Sequence, residues 1–210
     1  MNFGRHFMQF DANSFRQMLM DLPVTESAPR LLGAVIEMGH AAIQIVEIEA
    51  YGGAEDPGSH AYRGVTPRTR GMFETTGHAY VYFTYGNHWM LNVTARPFGE
   101  PGALLIRAAI PLRGEERLWP NRPKARRPQD LLSGPGKIAS ALGLGRGHDG
   151  LDLLSVDSPL RLIPAAEAVP ILIGTRIGIA PGKGDEMVRR YVDGSKLEWV
   201  SARRTGLVPL

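Results

Sequence analysis

The sequence predicts a single α+β domain, a curved and mostly antiparallel β-sheet core with flanking helices and long loops. Three observations predict it. Five segments of the first half (31–38, 43–51, 78–86, 89–96 and 103–111) are rich in Val, Ile, Tyr or Phe, with Gly or Pro between them. Two of these face each other across Gly86-Asn87, the signature of a hairpin. Helical spacing is confined to short stretches, and 210 residues suffice for one domain with a substantial core.

Element by element, Phe15, Met18, Leu19 and Leu22 recur at helical spacing, so Asn13 to Leu22 reads as a helix within an N-terminal region 1–25. In 43–51 apolar Val46, Ile48 and Ala50 alternate with Glu47, Glu49 and Tyr51. On a strand the last three share a face. The stretch 113–130 contains the Pro/Arg-rich run from Pro120 to Pro128 and reads as an exposed basic loop. A helix should start just after Ser133-Gly134-Pro135 and run to about Leu142. Further strands are expected at 160–163, 171–179, 189–193 and 197–201.

Composition excludes several classes. There is no cysteine, hence no disulfide, thiolate nucleophile or thiolate-bound zinc. Met1 to Phe10 has no apolar core of signal-peptide length, and no run approaches the roughly 20 apolar residues that span a bilayer. The expectation is a soluble cytoplasmic protein, nucleoid-associated in a bacterium. The formal net charge is only +3, but Arg and Lys cluster in 113–127, at Arg63, Arg68 and Arg70, and in 189–204. Such patches fit a polyanion as well as ordinary solvated surface. His148, Asp149 and Asp152 read as a polar loop, and Gly136-Lys137 lacks the glycine and hydroxyl residue of a phosphate loop, so no metal and no cofactor are expected.

Two carboxylates and a phenol on one strand face, with His60 a short loop away, form a candidate site. A half-exposed strand with an outer Glu face is the alternative. Tyr80 and Tyr82 share a face of the next strand, and Tyr85 falls at the hairpin tip. There it either packs under a neighbouring loop or projects as a wedge into a stacked duplex. Asn92 and Arg107 are isolated polar residues in apolar strands, so each is a hydrogen-bond clip or a site residue.

Val46 to Tyr51, Thr66-Pro67-Arg68, Arg70-Gly71-Met72-Phe73, Tyr80-Val81-Tyr82, Tyr85-Gly86, Asn92, Leu105-Ile106-Arg107-Ala108 and Ser133-Gly134-Pro135 occur in the order found in one family. From about Leu31 to Val200 the chain resembles the alkyladenine (3-methyladenine) DNA glycosylases, monofunctional base-excision enzymes with a mixed α/β fold. The resemblance implies that Glu49 is the general base for the water attacking the sugar C1′. Arg107 and the main-chain carbonyl of Ile177 would hold that water. Tyr51, His60 and Tyr82 would surround the flipped base, with Asn92 at the pocket wall screening out an exocyclic amino group. Tyr85 would fill the gap in the duplex. Arg68, Arg70, Ser133, Gly134 and Lys137 would lie near the DNA backbone. Asn87 and Thr69 depart from the residues usual in that family.

These residue types suit that chemistry. A base inside a duplex must be extruded before it is reached, which costs a few kcal/mol and less at damaged pairs. Stacking on an aromatic face returns roughly 1–3 kcal/mol per base. Cleavage of an N-glycosidic bond passes through an oxocarbenium-like state that a carboxylate favours while it deprotonates water. Glu47 shares the face with Glu49 and is its rival, although the resemblance aligns Glu49. A lyase would need a desolvated lysine, and none lies in the motif strands. The expected protein is a monomeric hydrolase acting on double-stranded DNA that contains damaged purines, of the 3-methyladenine, hypoxanthine and ethenoadenine class. The alternatives are a catalytically weak lesion-binding protein of the same fold and a hydrolase of free nucleosides. The last leaves Tyr85 and the basic patches unexplained.

Overall fold

A computed structural model describes residues 11–84, 86–201 and 205–210. Helix α1 (Ala12–Asp21) is capped by Asp11, whose carboxylate accepts the Asn13 N–H at 3.0 Å, and it buries Leu19. Pro23 ends it and opens α2 (Val24–Ser27), which continues as a 3₁₀ turn at Ala28–Leu31. That turn occupies the beginning of the segment expected as strand 31–38. Strand β1 starts only at Val35 and ends at Met38.

Strand β2 (Ala41–Tyr51) is the spine of the molecule. After a long loop containing the 3₁₀ turn His60–Arg63 come α3 (Arg70–Glu74) and the hairpin β3 (Ala79–Thr84) and β4 (His88–Thr94), then β5 (Ala103–Arg113). The predicted loop 113–130 is more ordered than expected. It holds α4 (Glu115–Leu118), a 3₁₀ turn at Trp119–Asn121 and the start of α5 (Pro128–Leu132), and it buries Leu118 and Ala125. Gly114 begins it at φ 70°, where a Cβ would stand 2.5 Å from the His40 carbonyl oxygen, so only glycine fits. Helix α6 (Pro135–Ala141) matches the expected helix. Strands β6 (Leu160–Ile163), β7 (Ile171–Thr175), β8 (Val188–Asp193) and β9 (Val208–Pro209) complete the chain. No strand forms at 197–201. Residues Leu197–Trp199 make a 3₁₀ turn that delivers Ser201 to the interior.

All pairings are antiparallel. The sheet runs β3-β4-β5-β2-β8-β7-β9, and the first half of β2 also pairs with β1, which pairs with β6. Of the three register shifts between β2 and β5, the two at Ile45/Glu47 and Glu47/Ile48 position everything that follows. Ile45 pairs with Ala109 and Glu47 with Ala108, so Val46 is an extra residue on β2. Ile48 then pairs with Ile106, so Arg107 is an extra residue on β5. A bulge reverses which face later residues take. Ile43 and Ile45 point into the core, yet beyond the bulge Ile48 and Ala50 do so, which turns Glu47, Glu49 and Tyr51 to the opposite face. On β5, Leu104, Ile106 and Ala109 are core, leaving Arg107 on that same opposite face. The core is one large apolar cluster between the sheet, α1 and α6, with a small second cluster of Ala61, Met72, Tyr80 and Ala103.

Candidate active site

A cavity of about 420 Å³ opens on the site face of the sheet. Tyr51, His60, Tyr82, Asn92 and Arg107 all line it, as do Met72, Leu105 and the loop Ile177–Ala180. Glu49 lies behind this lining, fully buried. Three lining groups each donate to its carboxylate: the Tyr51 hydroxyl to Oε2 at 2.8 Å, Arg107 Nη1 to Oε2 at 3.1 Å and the Ile177 N–H to Oε1 at 2.6 Å. A carboxylate offers about four acceptor sites, so one more donor can be received. Strand β7 stops at Thr175, short of the predicted residue 179, because the Ile177 amide bonds Glu49 and Gly178 turns the chain at φ 82°. Burial, then the neighbouring Glu49 charge, pushes the Tyr51 phenol well above its ordinary pKa, and it stays a donor.

Glu47 is also fully buried and, like Glu49, does not line the cavity. Its Oε1 accepts from Arg190 Nε at 2.7 Å, the Ser201 hydroxyl at 2.8 Å and Arg107 Nε at 3.3 Å. Its Oε2 accepts the Ser201 N–H at 2.6 Å. Arg107 therefore bridges the two carboxylates. Burial opposes its charge, but Glu49 and Glu47 outweigh that and hold its pKa above the ordinary guanidinium value.

The aromatic wall is a packed set. The His60 ring meets Tyr82 edge-on at 4.6 Å, and Tyr80 lies 5.2 Å from Tyr82. His60 Nδ1 is 3.1 Å from the Tyr80 hydroxyl, and Asn92 Nδ2 donates to the Tyr80 carbonyl at 3.0 Å. Asn92 is thus both clip and lining residue. Burial, then the charge of Arg68, lowers the His60 pKa to about 4, so the ring is neutral at pH 7.

The opposite wall is held by a clamp that local sequence did not reveal. Arg176 Nη1 and Nη2 each donate to Asp56 at 2.7 Å, both side chains fully buried, and reach the Ala50 and Gly184 carbonyls at 3.2 Å. Asp56 also accepts from Gly52, Gly58 and Arg189. Burial would raise its pKa, but Arg176 and these amides overcome that and lower it. The clamp joins the loop after β2 to the loop after β7. Its guanidinium lies 4.6 Å from the Tyr51 ring centroid without lining the cavity. Tyr80 is also missing from the sequence-derived pocket, although its alternation with Tyr82 is a usable signal. Asp56 and Arg176, 120 residues apart, offer none.

The remaining predicted residues are more dispersed. Arg68 is exposed, with its guanidinium 5.0 Å from the Tyr82 centroid and Nη2 3.4 Å from His60 Nε2. Arg70 is exposed near Glu74. Lys137 Nζ donates to Ser133 Oγ at 3.0 Å, and Pro135 beside Gly134 reaches the cavity rim. Lys183 is at the rim too, exposed to solvent. Thr69 is buried and ties its loop through Thr66 and the Gly64 carbonyl. Tyr85, and with it the predicted wedge, lies outside the described residues, as do Arg203 and Arg204.

A model of the methylpurine-DNA glycosylase (MPG) family matches residues 18–196. A protein named "Putative 3-methyladenine DNA glycosylase" from Burkholderia lata is 43% identical over 182 residues, covering 83% of this chain and 88% of its own length. Proteins of the same name from Rhodococcus jostii and Streptomyces avermitilis are 41% and 38% identical. These cover 74% and 81% of this chain, and 71% and 84% of their own lengths. With that match running through the buried carboxylate, the aromatic wall and the Arg176 clamp alike, the chain belongs to the methylpurine-DNA glycosylase family, hydrolases that act on N-glycosyl bonds.

Proposed function

We propose that this protein is a monofunctional DNA glycosylase that flips an alkylated or deaminated purine out of duplex DNA and hydrolyses its N-glycosidic bond, leaving an abasic site. One observation carries the reading: a fully buried carboxylate, Glu49, presented by three donors behind an aromatic-walled cavity. Family membership and the relatives' names support the substrate class, 3-methyladenine first among alkylated purines.

In this mechanism the extruded base enters between Tyr51 and the Tyr82–His60 wall, where stacking offsets part of the unstacking cost. Asn92, its Nδ2 committed to the Tyr80 carbonyl, presents the rest of its amide to the base edge as a screen. A water held by Arg107 and the Ile177 carbonyl takes the free acceptor site of Glu49. As the C1′–N bond breaks, its electron pair leaves with the base and the water oxygen bonds C1′. The water proton passes to Glu49. A cationic 3-methyladenine departs neutral, whereas hypoxanthine must be protonated as it leaves. Tyr85 fills the vacated stack, and Arg70, Ser133, Gly134 and Lys137 face the phosphates of a duplex bound by one copy of the chain.

The test is alkali-dependent cleavage of duplexes carrying one hypoxanthine or one ethenoadenine, and of methylated DNA, by wild type and Glu49→Gln. Wild type should release base, and the variant should lose roughly a hundredfold or more with DNA binding retained. Binding without release from any of these substrates would make the protein a lesion binder and overturn the catalytic reading.

A further inference from the structure

Hydrogen-bond donors outnumber acceptors at one point of the aromatic wall. The Tyr80 hydroxyl is 3.1 Å from His60 Nδ1, and Arg68 Nη2 is 3.4 Å from His60 Nε2. A guanidinium has donors and no acceptor. The Nε2 that faces it therefore carries the lone pair, and the single proton of the neutral ring sits on Nδ1. Held in that tautomer, His60 donates to the Tyr80 oxygen and cannot accept from it. The other polar group beside that oxygen is again Arg68, which can only donate.

The hydroxyl proton of Tyr80 is thus left over. Burial, opposed by the charge of Arg68, pushes the phenol up to about 12, so the oxygen keeps that proton at pH 7. Among the described residues His60 and Arg68 are the hydrogen-bond partners of this hydroxyl, and neither can receive its proton. Tyr80 is almost wholly buried, yet it lines the cavity together with His60 and Tyr82. A buried donor without an acceptor is costly, and a purine entering the cavity brings lone pairs.

We propose that the Tyr80 hydroxyl reads the extruded base: it donates a hydrogen bond to a lone pair of the purine and speeds the release of neutral lesions such as hypoxanthine. The proposal rests on the glycosylase reading and names a further residue that touches its substrate. The sign follows from charge. A neutral base gains negative charge as the C1′–N bond breaks, so the bond from Tyr80 is stronger in the transition state than before it. It shares with hypoxanthine the proton that this base needs as it leaves. A cationic 3-methyladenine departs neutral, and a hydrogen bond to a departing anion is about twice as strong as one to a neutral base. Losing one donor aimed at a localised developing charge costs about a hundredfold to a thousandfold in rate. Charge on a purine is spread over its rings, so about tenfold to a hundredfold is expected here for hypoxanthine. Half that free energy corresponds to about threefold to tenfold for 3-methyladenine.

The test is single-turnover base release at saturating enzyme, from a hypoxanthine duplex and from methylated DNA (3-methyladenine), by wild type and Tyr80→Phe. Phenylalanine keeps the ring against Tyr82 and removes only the hydroxyl. The hypoxanthine to 3-methyladenine rate ratio should fall about threefold to tenfold in the variant. Nitrogen NMR of His60 in the wild type at pH 7 should show Nδ1 protonated. Equal losses on both substrates, as for a wall that is merely disturbed, overturn the proposal, and so do unchanged rates. A His60 ring protonated at Nε2 also overturns it, since Tyr80 would then donate to His60. Wild type that releases neither base fails the underlying glycosylase reading, a result distinct from failure of the proposal alone, in which wild type releases both.

Discussion

Glu47→Gln removes a charge from a fully buried carboxylate that accepts four hydrogen bonds. Two carboxylates, Glu47 and Glu49, balance two guanidiniums, Arg107 and Arg190, all of them buried. Glutamine keeps the shape but not the balance, and it cannot satisfy the donors. The Ser201 N–H meets Oε2 at 2.6 Å, while Arg190 Nε and the Ser201 hydroxyl meet Oε1 at 2.7 and 2.8 Å. Whichever way the amide turns, its NH₂ confronts a donor. Arg190 Nη2, already without a partner among the described residues, then shares a net positive interior. Breaking a buried pair by removing one partner costs about 3–5 kcal/mol, a large share of the roughly 5–15 kcal/mol that holds a domain folded. At about 2–4 °C per kcal/mol for a chain of this size, the melting temperature should fall by roughly 6–20 °C. Urea unfolding should show a lower midpoint with an unchanged m-value. The control is Glu37→Gln, which loses only the exposed pairs to Arg113 and Arg161 and should cost no more than about 1 kcal/mol. A Glu47→Gln protein within about 1 kcal/mol of wild type would refute the claim that this network holds β2, β5 and β8 together.

Three further outcomes are expected. Asp56→Asn should destabilise by about 3–5 kcal/mol at pH 7, because it leaves Arg176 buried and unpaired. The folded Asp56 pKa is depressed, so its stabilisation is full above the unfolded value of 3.8 and is lost as pH falls through the folded pKa. The urea midpoints of wild type and Asp56→Asn should therefore converge below that range, and a gap independent of pH would contradict the clamp. Gly58→Ala should slow base release at least tenfold, read in single-turnover kinetics, while melting only a few degrees lower. A Cβ there would stand 2.9 Å from Arg176 Nη2 and 3.0 Å from the Lys183 carbonyl oxygen, so the cavity wall must shift. The His60 ring, followed by NMR, should stay neutral until pH approaches about 4, and its pKa should rise in Arg68→Met. Its folded pKa lies below the ordinary 6.5, so the stability it contributes is present above pH 6.5 and lost as pH falls toward 4. Titration near 6.5 in the wild type would mean that the ring is neither buried in the wall nor held against Arg68.

Much of the site was legible because it sits on strands. Period-two alternation in 46–51 and in 80–82 is a property of the backbone, so Glu49, Tyr51 and Tyr82 could be assigned to faces before any tertiary contact was known. Isolated polar residues in apolar strands pointed equally well to Asn92 and Arg107. The paired apolar residues Ile45-Val46, where alternation skips a step, are the trace of the bulge that turns the strand. The segment 197–201 misled for the opposite reason. Its apolar and aromatic residues suit a strand, but its backbone is used to bring Ser201 to Glu47, 154 residues away.

By itself the sequence determined the elements, the faces of the strands and the order of the motifs, because each depends on residues a few positions apart. Only the tertiary structure decided which carboxylate is held by the cavity-lining Tyr51 and Ile177 and which by Arg190 and Ser201. Glu47 and Glu49 share a strand face two residues apart, and their roles divide through partners 58 to 154 residues distant. The same holds for Arg176 on Asp56 and for Arg68 on Tyr82. Such pairings are set by strand register and loop path, and no local propensity records where a long charged side chain will find its partner.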